Sequence, residues 1–566
     1  MKKSLLKKTT ALLAAAAMSA SLLAGCASGD QGSASSAESS TQPGSSVADG
    51  GNASSEAPAE NEHPSWVSDT PIEVRIMLMD NANQPLANET PAHDEIFNKT
   101  NVRIKLEIVP QSSYDDKKNI ALSTNNFPDI VYLRSYTDIS DYADEGIFEP
   151  LTQYINEETM PNFYKFWQEY PQMQRYMVDG EMYVFPGIAR GETANGFGPV
   201  IRTDLLEENN IPVPNTFDEL LDALAELKKI YPDSIPWACR QGTGQLLRTT
   251  AYMLGSGHGG NGRGQGMYWD EDKGQYVYGP ASEEFKTVLT YLNKAYEMGV
   301  LDPEYATTDA NSLATNASSG RSFFFCDNSG FGQNYTNELR KIDGLENATF
   351  QIIPIPENSF GQRRAVAYDT TFTKLFAVNA QAKNKEELIQ FIDWMYSQEG
   401  SDISNYGVEG VSFQYNASGE PEYIPEYVMQ FKDASPSDYY AVYTDLGVTK
   451  LDWCLWACNT KTQFEIQKIT GSWTDVSDEY WEIISADKAY VAPHMSPSFT
   501  AEESERIQEL TTDLDTFFTQ EYDKYIMGSA DIDDWDDLIK RAEEKGVREL
   551  EQLWNDAEAR AAAAVR

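Results

Sequence analysis

Histidine is scarce in this chain: His63, His93, His258 and His494 are the four in 566 residues. Cysteine, at five, is nearly as rare. Imidazole is the side chain that titrates near neutral pH and the commonest metal ligand, so little material exists for a histidine-based centre. Positive charge is short as well. Forty-four Lys and Arg face 88 Asp and Glu, a formal charge of −44, and such a surface repels nucleic acid and anionic headgroups. The sequence has no HExxH, no phosphate loop ending in Lys-Ser/Thr and no nucleophile elbow. Gly257-His258-Gly259-Gly260-Asn261-Gly262 is glycine-rich without the lysine that would hold a phosphate, and is read as a flexible loop at a cleft mouth. With 88 acidic residues some carboxylate pair always exists, so glycosidase chemistry gains nothing from that count. No repeat of about 20–50 residues is present. The expectation is a chain that is not an enzyme and carries no cofactor.

Long apolar runs are missing too, save one at the start. Lys2, Lys3, Lys7 and Lys8 precede an uncharged stretch from Ala11 to Leu23. That is shorter than the roughly 20 apolar residues a spanning helix needs, and it fits the apolar core of a signal peptide. It ends in Leu23-Ala24-Gly25-Cys26, which resembles the lipobox of bacterial lipoproteins. The resemblance implies cleavage before Cys26 and lipid on its sulfur; an ordinary signal peptide with an incidental cysteine is the plainer alternative. Two or three acyl chains anchor stably where one is marginal. Residues 1–25 are thus expected to be removed, taking four lysines and leaving a charge near −48. Residues 26–65, the cysteine and a run of Ser, Ala, Gly, Glu, Asn and Pro, bury too little to offset their ordering entropy and read as a flexible tether.

The remaining residues, roughly 500, exceed what one hydrophobic core usually holds, so two or more domains are expected. Ile72–Met79 and Val102–Val109 read as strands, Tyr114–Ser123 as a helix, and Phe127–Tyr132 as a turn feeding a third strand. This alternation predicts an α/β lobe with a largely parallel sheet. Met182–Gly187 reads as a short strand ended by Pro186-Gly187. Thr216 and Glu219 form a capping box ahead of an apolar helix face of Phe217, Leu220, Leu221, Leu224 and Leu227. Further helices are expected over Ser282–Met298, Lys385–Tyr396, Ala501–Phe518 and Asp534–Ala563. Cys454 and Cys458, four apart, would share a helix face; the spacing is neither a zinc ribbon nor CxxC, so buried free thiols are expected, a disulfide being the alternative. Eleven Trp, 31 Tyr and 24 Phe mostly serve cores, but Trp and Tyr also offer flat apolar faces with polar edges, which suit a sugar ring.

An ordered set of segments then resembles a known family. Tyr183-Val184-Phe185-Pro186 followed by Ile201-Arg202-Thr203-Asp204-Leu205-Leu206, the helix start at Ile211–Leu220, Gly299-Val300-Leu301-Asp302-Pro303-Glu304, Gly320-Arg321-Ser322-Phe323-Phe324, Asn405-Tyr406-Gly407-Val408-Glu409-Gly410 and Tyr525-Ile526-Met527-Gly528 are similar to segments of the extracellular solute-binding lipoproteins of ABC importers, in the group that handles oligosaccharides. The resemblance implies an α/β, two-lobed periplasmic-binding-protein-like fold with a hinge and extra C-terminal helices. It places an N-terminal lobe at 66–186 plus 360–396 and a C-terminal lobe at 187–359 plus 397–566. Many relatives carry an Asp-x-Asp-Gly-Asn-Gly calcium loop where this chain reads Ile230-Tyr231-Pro232-Asp233-Ser234-Ile235-Pro236; the oxygens for coordination are lacking, so no metal is expected. Asp531-Ile532-Asp533-Asp534 reads as a helix N-terminus.

The function so implied is capture of an oligosaccharide between the lobes by a monomer, held by its lipid anchor at the outer face of the cell membrane, and delivery to ABC permease subunits. Sensing without transport is the alternative, and a surface glycan-processing enzyme a more distant one. Contacts are expected at the strands' carboxyl ends and the hinge: Asp129, Tyr132, Arg190, Trp237, Trp269, Asp327, Asp369, Tyr406 and Glu409. The Trp and Tyr would stack on rings and the charged residues would grip hydroxyl pairs, although each has a structural role open to it.

Overall fold

The computed structural model describes residues 67–565 apart from 135–136, 191–196, 259–265, 367–371, 436, 449–452, 474 and 492–493. Cys26, the tether, Asp369 and much of the glycine-rich loop therefore lie outside the described residues. In chain order the strands are β1 (Ile72–Asp80), β2 (Val102–Pro110), β3 (Ile130–Leu133), β4 (Val184–Ala189), β5 (Phe197–Arg202), β6 (Met267–Asp270), β7 (Gln275–Tyr278), β8 (Phe324–Asn328), β9 (Phe350–Ile352), β10 (Ala365–Val366), β11 (Phe372–Val378), β12 (Phe413–Tyr415), β13 (Pro421–Tyr423), β14 (Trp456–Ala457) and β15 (Tyr490–Val491).

Six of them form the first sheet, in the order β14-β4-β11-β3-β1-β2. β1 pairs in parallel with both β2 and β3, as expected of strands separated by helices. β11 is the exception. It runs antiparallel to β3 and β4, so the sheet is mixed. Pro186 and Gly187 lie inside β4 instead of ending it. Pro186 is tolerated there because β14 is two residues long and pairs opposite Ile188 and Ala189 only, leaving no ladder bond for a missing N–H to break. A second sheet, β8-β5-β9, has β5 antiparallel to both neighbours.

Each sheet has its own core. The first holds residues from Val74 to Ile188 and again from Phe372 to Ile466. The second holds residues from Phe197 to Ala365 and from Ala489 to Trp554. Among the described residues the chain passes between cores at three places: from β4 to β5, from β10 to β11, and from the helix Asn459–Thr470 to the helix Asp475–Ala486. The last crossing corrects the expected boundary. Residues 397–466, assigned by sequence to the second lobe, pack in the first core through Ile403, Tyr406, Phe413, Val442 and Ile466. Two short helices, Gln398–Tyr406 and Asp438–Leu446, therefore belong to the first sheet's side.

Local signals explain the firm elements. The Phe217–Ile230 helix opens on the Thr216–Glu219 capping box and buries Leu220, Leu221, Leu224 and Leu227. The C-terminal helix expected over Asp534–Ala563 divides into Trp535–Glu543 and Val547–Ala564, because Gly546 takes φ +98 between them. Asp531 caps a helical turn at Ile532–Asp534 through the N–H of Asp533, as its sequence predicts. Cys454 and Cys458 flank the strand β14 instead of sharing a helix face; both are buried, as are Cys239 and Cys326. The cores are also tied by charge: Arg175, packed among first-core residues, makes a two-pronged ion pair with Glu558 on the final helix, at 3.1 and 2.6 Å.

Candidate binding site

The carboxyl ends of β4 and β14 meet at one edge of the first sheet, where Arg190 follows Ala189 and Cys458 follows Ala457. The Arg190 N–H donates to the carbonyl of Ala457 at 2.8 Å. Its guanidinium donates to Asp402 at 2.9 Å and lies 4.6 Å over the Trp456 ring. Asp402 is held in place on the Gln398–Tyr406 helix, fully buried. In the second sheet the carboxyl end of β8 carries Asp327, gripped by Arg240 at 2.9 and 3.1 Å, and by Gln245 at 3.2 Å.

A cavity of about 660 Å³ opens beyond that second edge. One wall comes from Ser329, Gln333, Asn337 and Gln351, beside a smaller cluster of Val200, Phe325, Tyr335, Phe350 and Ile352 packed on the second sheet; the other from Asp438, Gln463 and Gln467 beside the first core. The third crossing, Gly471-Ser472-Trp473, closes it. On the far side of Phe464 and Trp473 lies a second cavity of about 870 Å³, lined by Arg190, Tyr423, Lys461 and Glu465 among others. Volumes of this size are those of small-ligand sites. The two cavities share Phe464 and Trp473 as a wall, and the groove at Trp473 denotes the pair, with these rings, an aromatic platform, between them.

The platform is built locally. Gly471 ends the Asn459–Thr470 helix at φ +81, a left-handed cap that suits glycine, and turns the chain so that Trp473 comes back over Phe464. The rings are 4.5 Å apart at 55°. Lys468 places its ammonium 4.9 Å from the indole centroid, and the indole N–H donates to Asp478 at 2.7 Å. Asp438 accepts from the hydroxyls of Thr470 and Ser472, the latter at 2.7 Å. Gln333, from the opposite wall, donates to the Ser472 carbonyl at 2.8 Å. In the second cavity, burial pushes the Glu465 carboxyl up to about 7, opposed by the N–H of Tyr423, which donates to it. Flat apolar faces flanked by amides, hydroxyls and carboxylates can bind a ring that has C–H faces and a hydroxyl rim.

A wider hollow of about 1360 Å³ lies beside Arg202, Asp204, Asp233 and Arg321. It sits at the amino ends of β8 and β9, the opposite edge of that sheet. Ligands of α/β sheets bind outside carboxyl ends, so the groove at Trp473 is the better candidate despite its smaller volume. No group of three or more His, Cys, Asp or Glu placed to hold a metal is found among the described residues.

The residues picked from sequence scatter. Arg190 lines the groove. Trp237 does not: it is buried in the second core against Phe324 and Tyr291. Tyr406, fully buried, packs between Phe413 and Tyr423. Both rings are spent in packing and present no face to a ligand. Trp269 stacks on His494 at 3.8 Å. Asp129 accepts the N–H of Arg75 at 2.8 Å and its carbonyl takes that of Asn379, joining β1 to the end of β11. Tyr132 sits in β3, its ring against Tyr114 and Phe376. Asp327 is buried under Arg240, and Glu409 is exposed on the turn before β12. Trp473, Phe464, Gln463 and Asp438, which line the candidate groove, were not among the residues picked from sequence. The one usable signal was Gly471-Ser472-Trp473, a glycine break followed by tryptophan between two helical patterns.

Residues 80–402 match the family described as bacterial extracellular solute-binding protein. The chain is 22% identical over 468 residues to the fructooligosaccharide ABC transporter substrate-binding protein FusA of Streptococcus pneumoniae, covering 77% of this chain and 81% of that one. It is 23% identical over 470 residues to the polygalacturonan/rhamnogalacturonan-binding protein YtcQ of Bacillus subtilis, covering 82% and 87%. Among solved structures, an extracellular solute-binding protein from Bifidobacterium longum subsp. infantis superposes with a TM-score of 0.68 at 18% identity, over 88% of this chain and 99% of that one. The fold is accordingly the two-domain, periplasmic-binding-protein-like one.

Proposed function

Since the chain belongs to the bacterial extracellular solute-binding protein family, we propose that it captures an oligosaccharide in the groove at Trp473 and hands it to the permease of an ABC importer. The observation that carries this reading is the groove itself: an aromatic platform placed at a crossing between the two cores, with amide and hydroxyl groups on both walls. A ligand resting on Trp473 would touch groups from both halves, so closure about the three crossings would add contacts and favour the closed form. A ligand shifts such an equilibrium only by its differential affinity for the two forms, and a groove shared by both halves supplies that difference. The names of the curated relatives, which speak of fructooligosaccharides and of polygalacturonan, agree with a saccharide ligand.

The site of action in this reading is the outer face of the cell membrane. Cys26 carries the lipid, residues 27–65 form the tether, and the folded body acts as a monomer. The family's extracellular character supports this, and among the described residues no helix is long and apolar enough to cross a membrane. The direct test is calorimetry of the purified protein against oligosaccharides of differing linkage and length, with peptides as the contrasting class. Saturable binding to a glycan series at micromolar affinity or better is expected; a clear response to peptides with none to glycans would refute the saccharide reading and leave the fold in place.

A further inference from the structure

One carboxyl in the groove lacks an ion-pair partner to keep it ionised. We infer that saccharide capture takes up a proton at Glu465, which meets the ligand as a neutral acid; the inference rests on the saccharide reading of the same groove. Glu465 lies on the helix Asn459–Thr470, and its half-buried side chain lines the second cavity. One carboxyl oxygen accepts the Tyr423 N–H, which ties the group to β13. The cations nearby are turned elsewhere. Lys461, one turn earlier on the helix, is exposed and lies 3.8 Å from Glu420. Lys468, one turn later, covers the Trp473 ring and lies 3.4 Å from Asp478. Arg190, which lines the same cavity, is held by Asp402 at 2.9 Å. From β13, Glu422 adds a like charge. Burial pushes the phenols of Tyr406 and Tyr423 far up, so they bring no charge. Tyr443, on the helix Asp438–Leu446, shares a hydrogen bond with Thr462 at 2.9 Å, Cys458 sits beside Arg190, and Glu426 on the turn Pro425–Val428 is exposed. Burial first, and then Glu422, raise the Glu465 carboxyl to about 7 against the Tyr423 N–H and Lys461.

A ligand in this cavity removes water that still reaches the carboxyl. Desolvation penalises the charged form, so Glu465 holds its proton more firmly in the complex than in the free protein. The neutral form also suits a sugar. One oxygen keeps the Tyr423 N–H, and the O–H on the other donates to a ring or hydroxyl oxygen. Proton and ligand therefore strengthen each other's binding, as linkage requires. Below the free value of about 7 the acid form is already present and affinity is flat. Above it, affinity falls as pH rises, by up to about tenfold per unit. Among the described residues no histidine lines either cavity, so imidazole does not produce this effect. In the proposed setting outside the cell the proton comes from the medium, and capture strengthens as the medium acidifies.

The test is calorimetry of the purified protein with neutral fructo-, malto- and manno-oligosaccharides, in phosphate and in Tris, whose ionisation enthalpies differ widely. Above the free value of the carboxyl, the heats in the two buffers should show proton uptake by the complex. Affinity should fall about threefold or more between pH 6 and pH 8.5. Glu465→Gln should bind with no uptake and a flat pH profile, and Glu422→Gln, lacking the like charge, should start the fall at lower pH. Binding with no proton exchange, or with release, would overturn the inference and leave the saccharide function standing, as would uptake that persists in Glu465→Gln. Should Glu465→Gln bind nothing, an unshifted profile in Glu422→Gln would overturn the assignment. No binding of any series at any pH would overturn the saccharide reading and this inference together.

Discussion

Trp473 is one of 11 tryptophans, and nothing in its one-letter neighbourhood separates it from Trp237. The difference is made by chain far away. Trp237 is covered by Phe324 and Tyr291, residues brought in from β8 and from the helix Glu283–Glu297, whereas Trp473 stays half-buried on a crossing with a cavity on either side. Trp473→Ala is expected to weaken glycan binding by about tenfold or more, the equivalent of about 1.4 kcal/mol for a lost stacking face, while Trp269→Ala leaves affinity alone; calorimetry on the two variants decides it. Glu465 offers a second handle. Its carboxyl is raised from 4.5 to about 7 by burial, so the native state holds a proton that the unfolded state has lost between those values. Stability then falls as pH rises through that window, and it suffers the full penalty above pH 7. Glu465→Gln can keep the acceptor oxygen for the Tyr423 N–H without the charge. It should raise the melting temperature at pH 8 and do little at pH 4, where the native carboxyl is neutral in any case; equal shifts at both pH values would contradict the assignment.

Elements whose signals are local were legible in the sequence. The Thr216–Glu219 capping box and the apolar face behind it specify the Phe217–Ile230 helix wherever it is placed, and the alternation of Val102–Val109 gives β2 for the same reason. Elements that depend on a partner were not. Cys454 and Cys458 flank a strand because Trp456 and Ala457 find Ile188 and Ala189 across a sheet edge, a pairing some 270 residues long that no spacing rule encodes. Likewise the course of 397–466 into the first core follows from which helices close over β4, β11 and β14, and the sequence reading placed the crossing some 70 residues too early. The crossing itself can be probed. Gly471 has φ +81 and an added Cβ would meet nothing within 4 Å; Gly344, at φ +87 in a loop away from the groove, is equally open. Alanine at either should cost about 1 kcal/mol of stability, the left-handed penalty for a side chain, as read from urea unfolding. Gly471→Ala should in addition change glycan affinity, since it tilts Ser472 and Trp473, and Gly344→Ala should not. Matching affinities for the two would detach the third crossing from the site.

At the scale of the whole molecule, the proposed capture requires two halves that move relative to each other without coming apart. The three crossings and the Arg175–Glu558 pair lie between the cores, and the latter also engages the Met495 carbonyl at 2.8 Å and His494 at 3.1 Å. Removing one partner of such a buried pair would strand the other, so this contact ties the two cores together. The expected lipid at Cys26 belongs to a different function, that of position. A flexible tether of about forty residues, as proposed, would have an end-to-end distance on the order of 30–40 Å, which would confine the body to a thin layer over the membrane and raise its effective concentration at a permease. Capture and anchoring are thus separable. Cys26→Ala should leave the affinity of the purified protein for its glycan unchanged, because among the described residues the groove is lined by residues 190–473. In cells the same variant should lower uptake at limiting glycan, and adding excess substrate should restore part of it, since free diffusion then replaces proximity. Loss of binding by the folded Cys26→Ala protein would break this division, and unimpaired uptake at limiting glycan would remove the need for an anchor.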